Sequence, residues 1–490
     1  RGDDVELGQD LAERLGRDVT VYDREELRQY RIKIGGWRLR TKRWLERSVQ
    51  PYAGRYIVGK DKNGDPSYKK IHLAHHQVKG IAETTRNVVI QERFFDDARQ
   101  GTLFKNGFLN TDGVLEPFNP EHRAYAEHAL PFDYDTSGVE PVKYIAFLNA
   151  LFQGDDDAEQ KIMFLQEWMG AMLLGCATDY GVAPFLLGHL AANGKSTFFE
   201  SISPLVTKAA RIAVPPQKLD NEYSLIRLVH AKLNLVADCS ERDIIESAAF
   251  KAVITGDEIT GRQIRQEQVT FFPRAAHIFG LNQLPRTWDT TNGFWRRVMI
   301  ITFNNRFLKS LKEPNPGKRS YPAIIKFSAQ LKEELPQIAA WAIKGAMRLF
   351  ENNGSYTEPR THKVALDEWK GMSDVVLSFS SECMRRSSTK TILSSHLYEA
   401  FTRWCDKNGH TGKMSNKKFT QKLLGLDEPF ELVKGPHGNM WPVEVFVDAP
   451  PPDAEPPPFR PVGGHLLGID GGLKDKGGDK DDPDGDGGKN

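Results

Sequence analysis

Four apolar runs in the middle of the chain predict buried β-strands. Residues at helical spacing, Phe198, Phe199 and Ile202, follow the first run and predict a helix there. The four runs span residues 182–187, 233–236, 275–281 and 298–303. Strands that share one segment with helical patterning indicate an α/β fold, which we assign to residues 181–310.

Helical spacing dominates on both sides of this α/β segment. Residues 1–180 are predicted to form a mainly helical domain, which includes two apolar helices over residues 143–175. Residues 311–388 are predicted to be a helical extension, with Ile338 and Trp341 on its apolar face. The α/β segment is therefore expected to have helical neighbours before and after it.

A small separate domain is predicted over residues 389–448. Two amphipathic helices, the second capped by Ser415, precede a hairpin, an order that predicts a winged-helix-like domain. Its second helix would carry Lys417 and Lys418 toward DNA; a winged helix that contacts only proteins is the alternative. Residues 449–490, rich in Pro, Gly, Asp and Lys, are predicted to be disordered.

The composition narrows the class of protein. The 490 residues are 39% hydrophobic and 27% charged, and no apolar run approaches membrane-spanning length, so a cytoplasmic protein without a membrane partner is expected. The four cysteines form no C-x-x-C pair, which argues against a zinc site or a disulfide framework. The net charge of +1 divides into −4 from residue 451 onward and +5 before it, and a mildly basic body is compatible with nucleic acid.

A phosphate-binding loop is predicted between the first apolar run and the helix after it. The segment runs from Gly188 to Asn193-Gly194-Lys195-Ser196-Thr197. Backbone N–H groups of these residues and Lys195 would bind the phosphates of ATP, and the Ser196 hydroxyl would bind Mg²⁺. Five residues separate Gly188 from Gly194 where four are usual, so either the loop is longer or His189 replaces the first glycine. A chance occurrence in a surface loop is the alternative.

Polar residues at the ends of two further runs would complete an ATPase site. Asp238 would hold or order the metal, and Glu241 would position the attacking water. Asn282 would reach the γ-phosphate or its water by hydrogen bond. The alternative is that these strands merely end in polar loop residues.

Two arginines precede the fourth run. Arg296 and Arg297 could be ordinary surface charge. In a ring-shaped ATPase they could instead reach the nucleotide of the neighbouring subunit and stabilise the charge of the transition state.

A basic hairpin is predicted between the second and third runs, over residues 259–272. Arg262 and Arg265 belong to it, and Lys251 precedes it. These three side chains would bind DNA phosphates if the hairpin projected into the channel of a ring.

Basic and aromatic residues alternate between Tyr30 and Trp44. Such a stretch can bind single strands by charge and stacking, or it can be a solvated amphipathic surface.

The ordered set of motifs resembles the superfamily 3 DNA helicases of phages, plasmids and large DNA viruses, in the poxvirus-type primase-helicase branch. The motifs that carry the resemblance are Leu186-Leu-Gly followed by Asn193-Gly-Lys-Ser-Thr, Lys251, Gly256-Asp257, Arg262, Asn282-Gln-Leu-Pro285 and Asp289-Thr-Thr-Asn-Gly-Phe-Trp-Arg-Arg297.

The resemblance implies a P-loop NTPase of the AAA+-like type and an ATP- and Mg²⁺-dependent replicative helicase of a phage or mobile element. It implies a ring, hexameric in the family, that moves 3′→5′ on single-stranded or forked DNA, in the bacterial cytoplasm if the protein is phage-encoded. Priming or synthesis is expected from a separate chain, or priming from a removed segment. Lys195 and Ser196 would bind nucleotide and Mg²⁺, Asp238 would lie on the metal side, and Asn282 would sense the γ-phosphate. Arg296 or Arg297 would act in trans.

Three positions depart from the family pattern: the longer loop, Pro204 early in the following helix, and Cys239, where an acidic residue often follows the aspartate. A second hypothesis is therefore a DNA-binding replication initiator or loader with weak or regulatory ATPase activity. A small-molecule kinase has no use for the hairpin or the arginine pair.

Overall fold

The computed structural model describes residues 4–60, 62–239, 245, 247–285, 287, 291–309, 319–323, 327–373, 375–408, 414–426, 429–436 and 438–446. Contacts divide the chain into two compact units, Arg1–Asp374 and Val375–Asn490. The predicted tail, residues 449–490, lies outside the described residues. No helix of the described part is long and apolar enough to span a membrane.

The first 180 residues mix short strands with helices. Antiparallel pairs join β1-β2-β3, β4-β5 and β6-β7-β8 into three small sheets. The elements are α1 Asp4–Leu15, β1 Thr20–Asp23, β2 Glu26–Arg31, β3 Gly36–Arg40, α2 Lys42–Val49, β4 Tyr56–Lys60, β5 Pro66–Lys70, α3 His75–Val88, β6 Gly101–Phe104, β7 Gly107–Asn110, β8 Leu115–Glu116, α4 Val142–Leu151 and α5 Ala158–Leu174.

The prediction of a mainly helical segment is wrong for residues 20–116, where strands outnumber helices. A buried arginine explains why the sequence of β2 does not show the alternation of polar and apolar residues that is typical of a strand. The side chain of Arg28 on β2 is only 4% exposed, and it pairs with Glu26 at 2.7 Å and Glu127 at 3.1 Å. A charged residue in a core position hides the period of two by which a strand is recognised. The predicted helix pair over 143–175 is confirmed by α4 and α5.

A five-stranded parallel sheet forms the centre of the first unit, in the order β10-β11-β14-β9-β15. Its elements and the neighbouring hairpin are β9 Ala183–Leu187, α6 Lys195–Ile202, β10 Arg211–Ile212, α7 Glu222–Leu225, β11 Leu233–Val236, α8 Ser247–Thr255, β12 Ile259–Arg262, β13 Gln268–Phe271, β14 Ala276–Leu281, α9 Asn292–Trp295 and β15 Val298–Thr302. All five residues of β9 and all six of β14 are buried, as expected for central strands covered on both faces. The predicted α/β core is confirmed.

The chain then returns to the helices that precede the sheet. The elements of this part are β16 Arg306–Leu308, β17 Ser320–Pro322, α10 Phe327–Leu331, α11 Leu335–Glu351 and α12 Arg360–Ser373. Helix α11 packs on α5 with glycine at the contact: a Cβ on Gly170 would lie 2.2 Å from Ala342 O, and one on Gly345 would lie 2.5 Å from Gln166 O. Side chains cross the same contact, since Arg348 Nε donates to Glu167 Oε1 at 2.8 Å.

In the second unit, the described residues form three helices, a three-stranded antiparallel sheet β19-β21-β20 and a two-stranded pair β18-β22. Its elements are α13 Val375–Cys383, β18 Met384–Arg386, β19 Ile392–Leu393, α14 Ser394–Lys407, α15 Asn416–Leu424, β20 Val433–Gly435, β21 Gly438–Trp441 and β22 Val443–Val445. Ser415 caps α15 as predicted, because its Oγ accepts the N–H of Lys418 at 3.3 Å. A hairpin forms, but it joins β20 to β21, with Val433 opposite Met440. Residues 443–447 were predicted as its second strand; Val443–Val445 instead forms β22 and pairs with β18.

Candidate nucleotide and DNA sites

The loop between β9 and α6 is turned by two residues in the left-handed region. Ala192 has φ 59° and Gly194 has φ 87°. Glycine is required at 194 for a second reason, since a Cβ there would lie 2.3 Å from Leu151 Cδ2. Helix α6 then begins at Lys195, so its first N–H groups point into the loop. It ends at Ile202, two residues before Pro204, as the proline predicts.

Asn193 closes the loop from inside and is only 6% exposed. Its Nδ2 donates to Gly188 O at 3.2 Å and to Leu190 O at 2.6 Å, and its Oδ1 accepts the N–H of Lys195 at 3.3 Å. A Cβ on Gly188 would lie 2.2 Å from Asn193 Nδ2, whereas His189 is exposed. Gly188 therefore fills the position of the first glycine, and the structure favours a loop that is one residue longer than usual.

Lys195 links the two central strands at their carboxyl ends. Its side chain is 7% exposed, and its Nζ donates to Gly188 O at 3.0 Å, to Leu281 O and to Asn282 Oδ1 at 3.0 Å. The backbone makes the same connection, because the N–H of Gly188 donates to Leu281 O at 3.1 Å. The ammonium group thus lies where α6 begins and where β14 ends.

The sheet order brings Asp238 to the same place. Strand β14 lies between β9 and β11, so residues that follow these three strands emerge side by side at one edge. Asn282 Nδ2 donates to Asp238 Oδ1 at 3.4 Å. Asp238, Asn282 and Ser196 are exposed at this edge. The structure therefore brings together Lys195, Asp238 and Asn282, as predicted; Glu241 lies outside the described residues.

The residue after Asp238 faces the core instead. Cys239 is 4% exposed, and its N–H donates to Gly280 O at 3.0 Å. Burial, with a further contribution from the charge of Asp238, raises the pKa of the Cys239 thiol to about 12. A carboxylate at this position would point away from the loop.

The donor set fits Mg²⁺ bound together with a triphosphate. Ser196 and Asp238 supply a hydroxyl and a carboxylate oxygen at one edge of the sheet. Among the described residues no group of three or more His, Cys, Asp or Glu side chains could hold a metal by itself. Mg²⁺ commonly uses one or two protein oxygens and completes its coordination with phosphates and water, so two ligands suffice.

The two arginines before β15 occupy different environments. Arg296 is exposed, whereas Arg297 is 8% exposed and its Nη1 donates to Gly293 O. The N–H of Ala183, at the start of β9, donates to Arg297 O at 2.8 Å. Both arginines therefore lie at the amino end of the strands, about 15 Å along β9 from the loop of the same chain.

The β12-β13 hairpin forms as predicted, with Ile259 opposite Phe271 and Arg262 opposite Gln268. Arg262 is held within the chain: its Nη2 lies 2.7 Å from Glu222 Oε1 and donates to Tyr223 Oη at 2.9 Å. These two partners, the tyrosine first, raise the pKa of Arg262. At the tip, Arg265 is exposed and has φ 63°.

The other predicted DNA contacts belong to other elements. Lys251 belongs to α8, and a Cβ on Gly293 would lie 3.7 Å from Lys251 Cδ, so it neighbours α9 rather than the hairpin. In the second unit, Lys417 and Lys418 are exposed on α15, while Phe419 is buried.

Two aromatic residues of the basic stretch near Tyr30 belong to the core, whereas its basic residues Arg31, Lys33, Arg38, Lys42 and Arg43 are exposed. Trp37 is 2% exposed and Tyr30 is 9% exposed, and their rings are 5.8 Å apart. The aromatic side chains in these two positions are not available for stacking on bases.

Sequence reasoning missed the residues that support the loop. The N–H of Phe307 on β16 donates to Ala192 O at 2.7 Å, and the Phe307 ring lies 3.4 Å from the position of a Cβ on Gly194. Behind it, Lys161 is fully buried and pairs with Asp155 at 2.8 Å. No hydrophobic periodicity marks these positions in the sequence. The one available signal was that Phe307 closely follows the fourth apolar run.

Comparisons with known proteins match two parts of the chain to families. Residues 186–297, which contain the loop and the core strands, match a family of unknown function, DUF5906. Residues 372–427 match the poxvirus D5 protein-like family.

A relative and two solved structures are also similar. A protein of Acanthamoeba polyphaga mimivirus, named as a candidate helicase (L207/L206), is 26% identical over 269 residues, which are 52% of this chain and 28% of that protein. Two apo structures of the NrS-1 C-terminal region match over 91% of this chain and all of theirs, at 10% and 13% identity with TM-scores of 0.42 and 0.41. The poxvirus family match and the mimivirus relative confirm that this chain resembles the helicase part of D5-type proteins, as its motifs predicted.

Proposed function

We propose that the protein is an ATP-driven DNA helicase that moves along single-stranded DNA as a hexameric ring. The observation that carries the proposal is the convergence of Lys195, Asn282 and Asp238 at the edge of a parallel sheet where α6 begins. Phosphoryl transfer needs a cation, a carboxylate and N–H donors around one triphosphate, and these groups supply them. The named viral relatives support a role in replication.

The residues of this chain would act mainly by position and charge. The N–H groups at the start of α6 and the Lys195 ammonium would bind the phosphates of ATP. Mg²⁺, held by Ser196 and Asp238, would neutralise phosphate charge when bound. Asn282 contacts both Lys195 and Asp238, and it would sense the γ-phosphate by hydrogen bond.

A second protomer would complete the site. Arg296 lies at the opposite edge of the sheet from the loop of its own chain, so in a ring it would face the nucleotide of a neighbour. Arg297, held by Gly293 O, would support Arg296 rather than reach across.

DNA would be held by exposed cations in both units. In the first unit the tip of the β12-β13 hairpin presents Arg265. The second unit would act as a winged helix with α15 as its recognition helix, on which Lys417 and Lys418 are exposed. By resemblance we expect 3′→5′ movement and a separate chain for priming or synthesis.

The test compares Lys195→Ala with Lys208→Ala, an exposed lysine of the same unit. Lys195→Ala should abolish ATP hydrolysis and the unwinding of a forked duplex while single-strand binding persists. Lys208→Ala should match the parent chain in all three assays. Normal turnover in Lys195→Ala would overturn the assignment of the site.

A replication initiator or loader with weak ATPase activity is the second candidate. The buried position of Cys239 favours it, because no carboxylate directly after Asp238 faces the site. Origin-specific binding without unwinding, unchanged in Lys195→Ala, would select this candidate.

A further inference from the structure

A second hairpin, formed by β4 and β5, projects from the first unit and is here called the 56–70 hairpin. Its root is fixed: the N–H of Gly54 donates to Ile71 O at 2.9 Å, and the N–H of Ile71 donates to Arg55 O at 2.7 Å. Ile71 is 8% exposed, and Ile57 packs against the core formed by α1, α2 and α3. A two-stranded ribbon is marginal alone, so this anchoring is what holds it in place.

One face of the 56–70 hairpin is turned to solvent. Tyr56 pairs with Lys70, Val58 with Tyr68 and Lys60 with Pro66, and cross-strand partners share a face. On this face Tyr56 is 62% exposed, Val58 64% and Tyr68 67%. The two tyrosines are diagonal neighbours across the ribbon, about 7–8 Å apart. Both phenol rings are therefore available as platforms.

The charge of the hairpin favours an anionic ligand. Residues 55–72 contain five Lys or Arg and two Asp. Lys60, Lys69 and Lys70 are exposed. Protein interfaces are depleted of lysine, whereas single-strand sites combine cations with aromatic platforms. The occupant that fits is a nucleic acid strand rather than a protein.

We propose that the outer face of the 56–70 hairpin binds single-stranded DNA, with bases stacked on Tyr56 and Tyr68 and phosphates near Lys60 and Lys70. This inference deepens the proposed function, because it names a second contact with the same strand outside the ATPase core.

The first experiment separates stacking from apolar contact. The full chain with Tyr56→Leu and Tyr68→Leu is titrated, without nucleotide, onto a fluorescein-labelled oligothymidylate followed by anisotropy. Affinity should fall at least about fivefold for each base that loses its platform. The paired Tyr56→Phe and Tyr68→Phe chain keeps both rings and should bind like the parent. Equal affinity of the leucine variant and the parent would overturn the proposal.

The second experiment tests the charges. Lys60→Ala with Lys70→Ala should reduce the slope of log affinity against log salt by about 1.4, since each phosphate contact on a single strand contributes about 0.7. Lys105→Ala with Lys363→Ala removes two exposed lysines elsewhere in the first unit and should leave the slope unchanged. An equal change in both pairs would show a general charge effect and reject the site.

Failure of this inference is distinguishable from failure of the proposed function. If the protein unwinds DNA but its affinity for oligothymidylate does not depend on Tyr56 and Tyr68, only the hairpin site is rejected. If binding depends on the hairpin but the protein does not unwind DNA, only the proposed helicase activity is rejected. A leucine variant that alters the native mass of the assembly but not DNA affinity assigns this face to protein contact, against the proposal.

Discussion

Arg296 and Arg297 are adjacent in sequence, yet their side chains have different surroundings. The Arg297 guanidinium is buried and bound to Gly293 O, so it contributes to the packing of α9. Arg296 is exposed at the amino edge of the sheet. Adjacent residues of the same type cannot be assigned separate roles from sequence, because burial is set by the turn between α9 and β15.

We expect the two arginines to separate stability from activity. Arg297→Ala should lower the free energy of unfolding by about 1–3 kcal/mol, because it removes a buried hydrogen-bonding group. Arg296→Ala should leave stability unchanged and abolish ATP turnover by the assembled protein. Denaturant unfolding and ATPase assays of both variants check this, and equal losses of stability would contradict it.

Cys239 provides a test of which residue positions water. Cys239→Glu should destabilise the first unit by at least about 2 kcal/mol, since the carboxylate would enter the core, and should not raise ATP turnover. Cys239→Ala is the uncharged control for lost packing. Faster hydrolysis by a stably folded Cys239→Glu chain would show that this side chain can turn toward the loop.

At the scale of elements, the β12-β13 hairpin separates an arginine that is paired within the chain, Arg262, from one at the tip, Arg265. A Cβ on Gly261 would lie 2.6 Å from the backbone nitrogen of Ile226, so the base of the hairpin is packed tightly on the segment after α7. Arg262 belongs to this packed base through Glu222. Arg265 lies at the exposed tip instead.

Arg265→Ala should weaken single-strand binding and reduce its salt slope by about 0.7. Arg262→Ala should act mainly on the thermal stability of the first unit, because it releases Glu222 and Tyr223. Binding as a function of salt, together with thermal unfolding, distinguishes the two. A larger slope change for Arg262→Ala would mean that its ion pair opens to DNA.

The elements that sequence predicted well are those whose surroundings are uniform. Strands β9, β14 and β15 are buried on both faces and read as apolar runs, and α5 and α11 keep a helical period. Strand β2 was not predicted, because Arg28 occupies one of its core positions, where ion pairs with Glu26 and Glu127 stabilise it. At the site, Lys195, Asp238 and Asn282 were predictable from strand ends, whereas the contact of Phe307 with the loop depends on tertiary packing alone.

At the scale of the whole molecule, each ATP site of the proposed ring would be formed by residues of two neighbouring protomers. Lys195→Ala removes the phosphate contact in its own site but leaves Arg296 for the neighbour. Arg296→Ala leaves its own loop intact but deprives the adjoining site.

Mixing these two inactive variants should therefore restore part of the ATPase activity, because some interfaces join an intact loop to an intact arginine. Turnover measured across mixing ratios should peak at an intermediate ratio. A mixture that stays inactive at every ratio, while native mass shows mixed assemblies, would refute action in trans.

The close contact of α5 with α11 has a practical consequence for anyone who trims this chain. These helices precede and follow the parallel sheet in sequence, and their glycines, Gly170 and Gly345, let the two backbones pack closely together, here called the clasp. A fragment cut to residues 181–310 would leave the clasp behind and bare the sheet surface that its apolar residues cover. Such a fragment should be recovered as aggregate, so the smallest unit worth expressing keeps both helices.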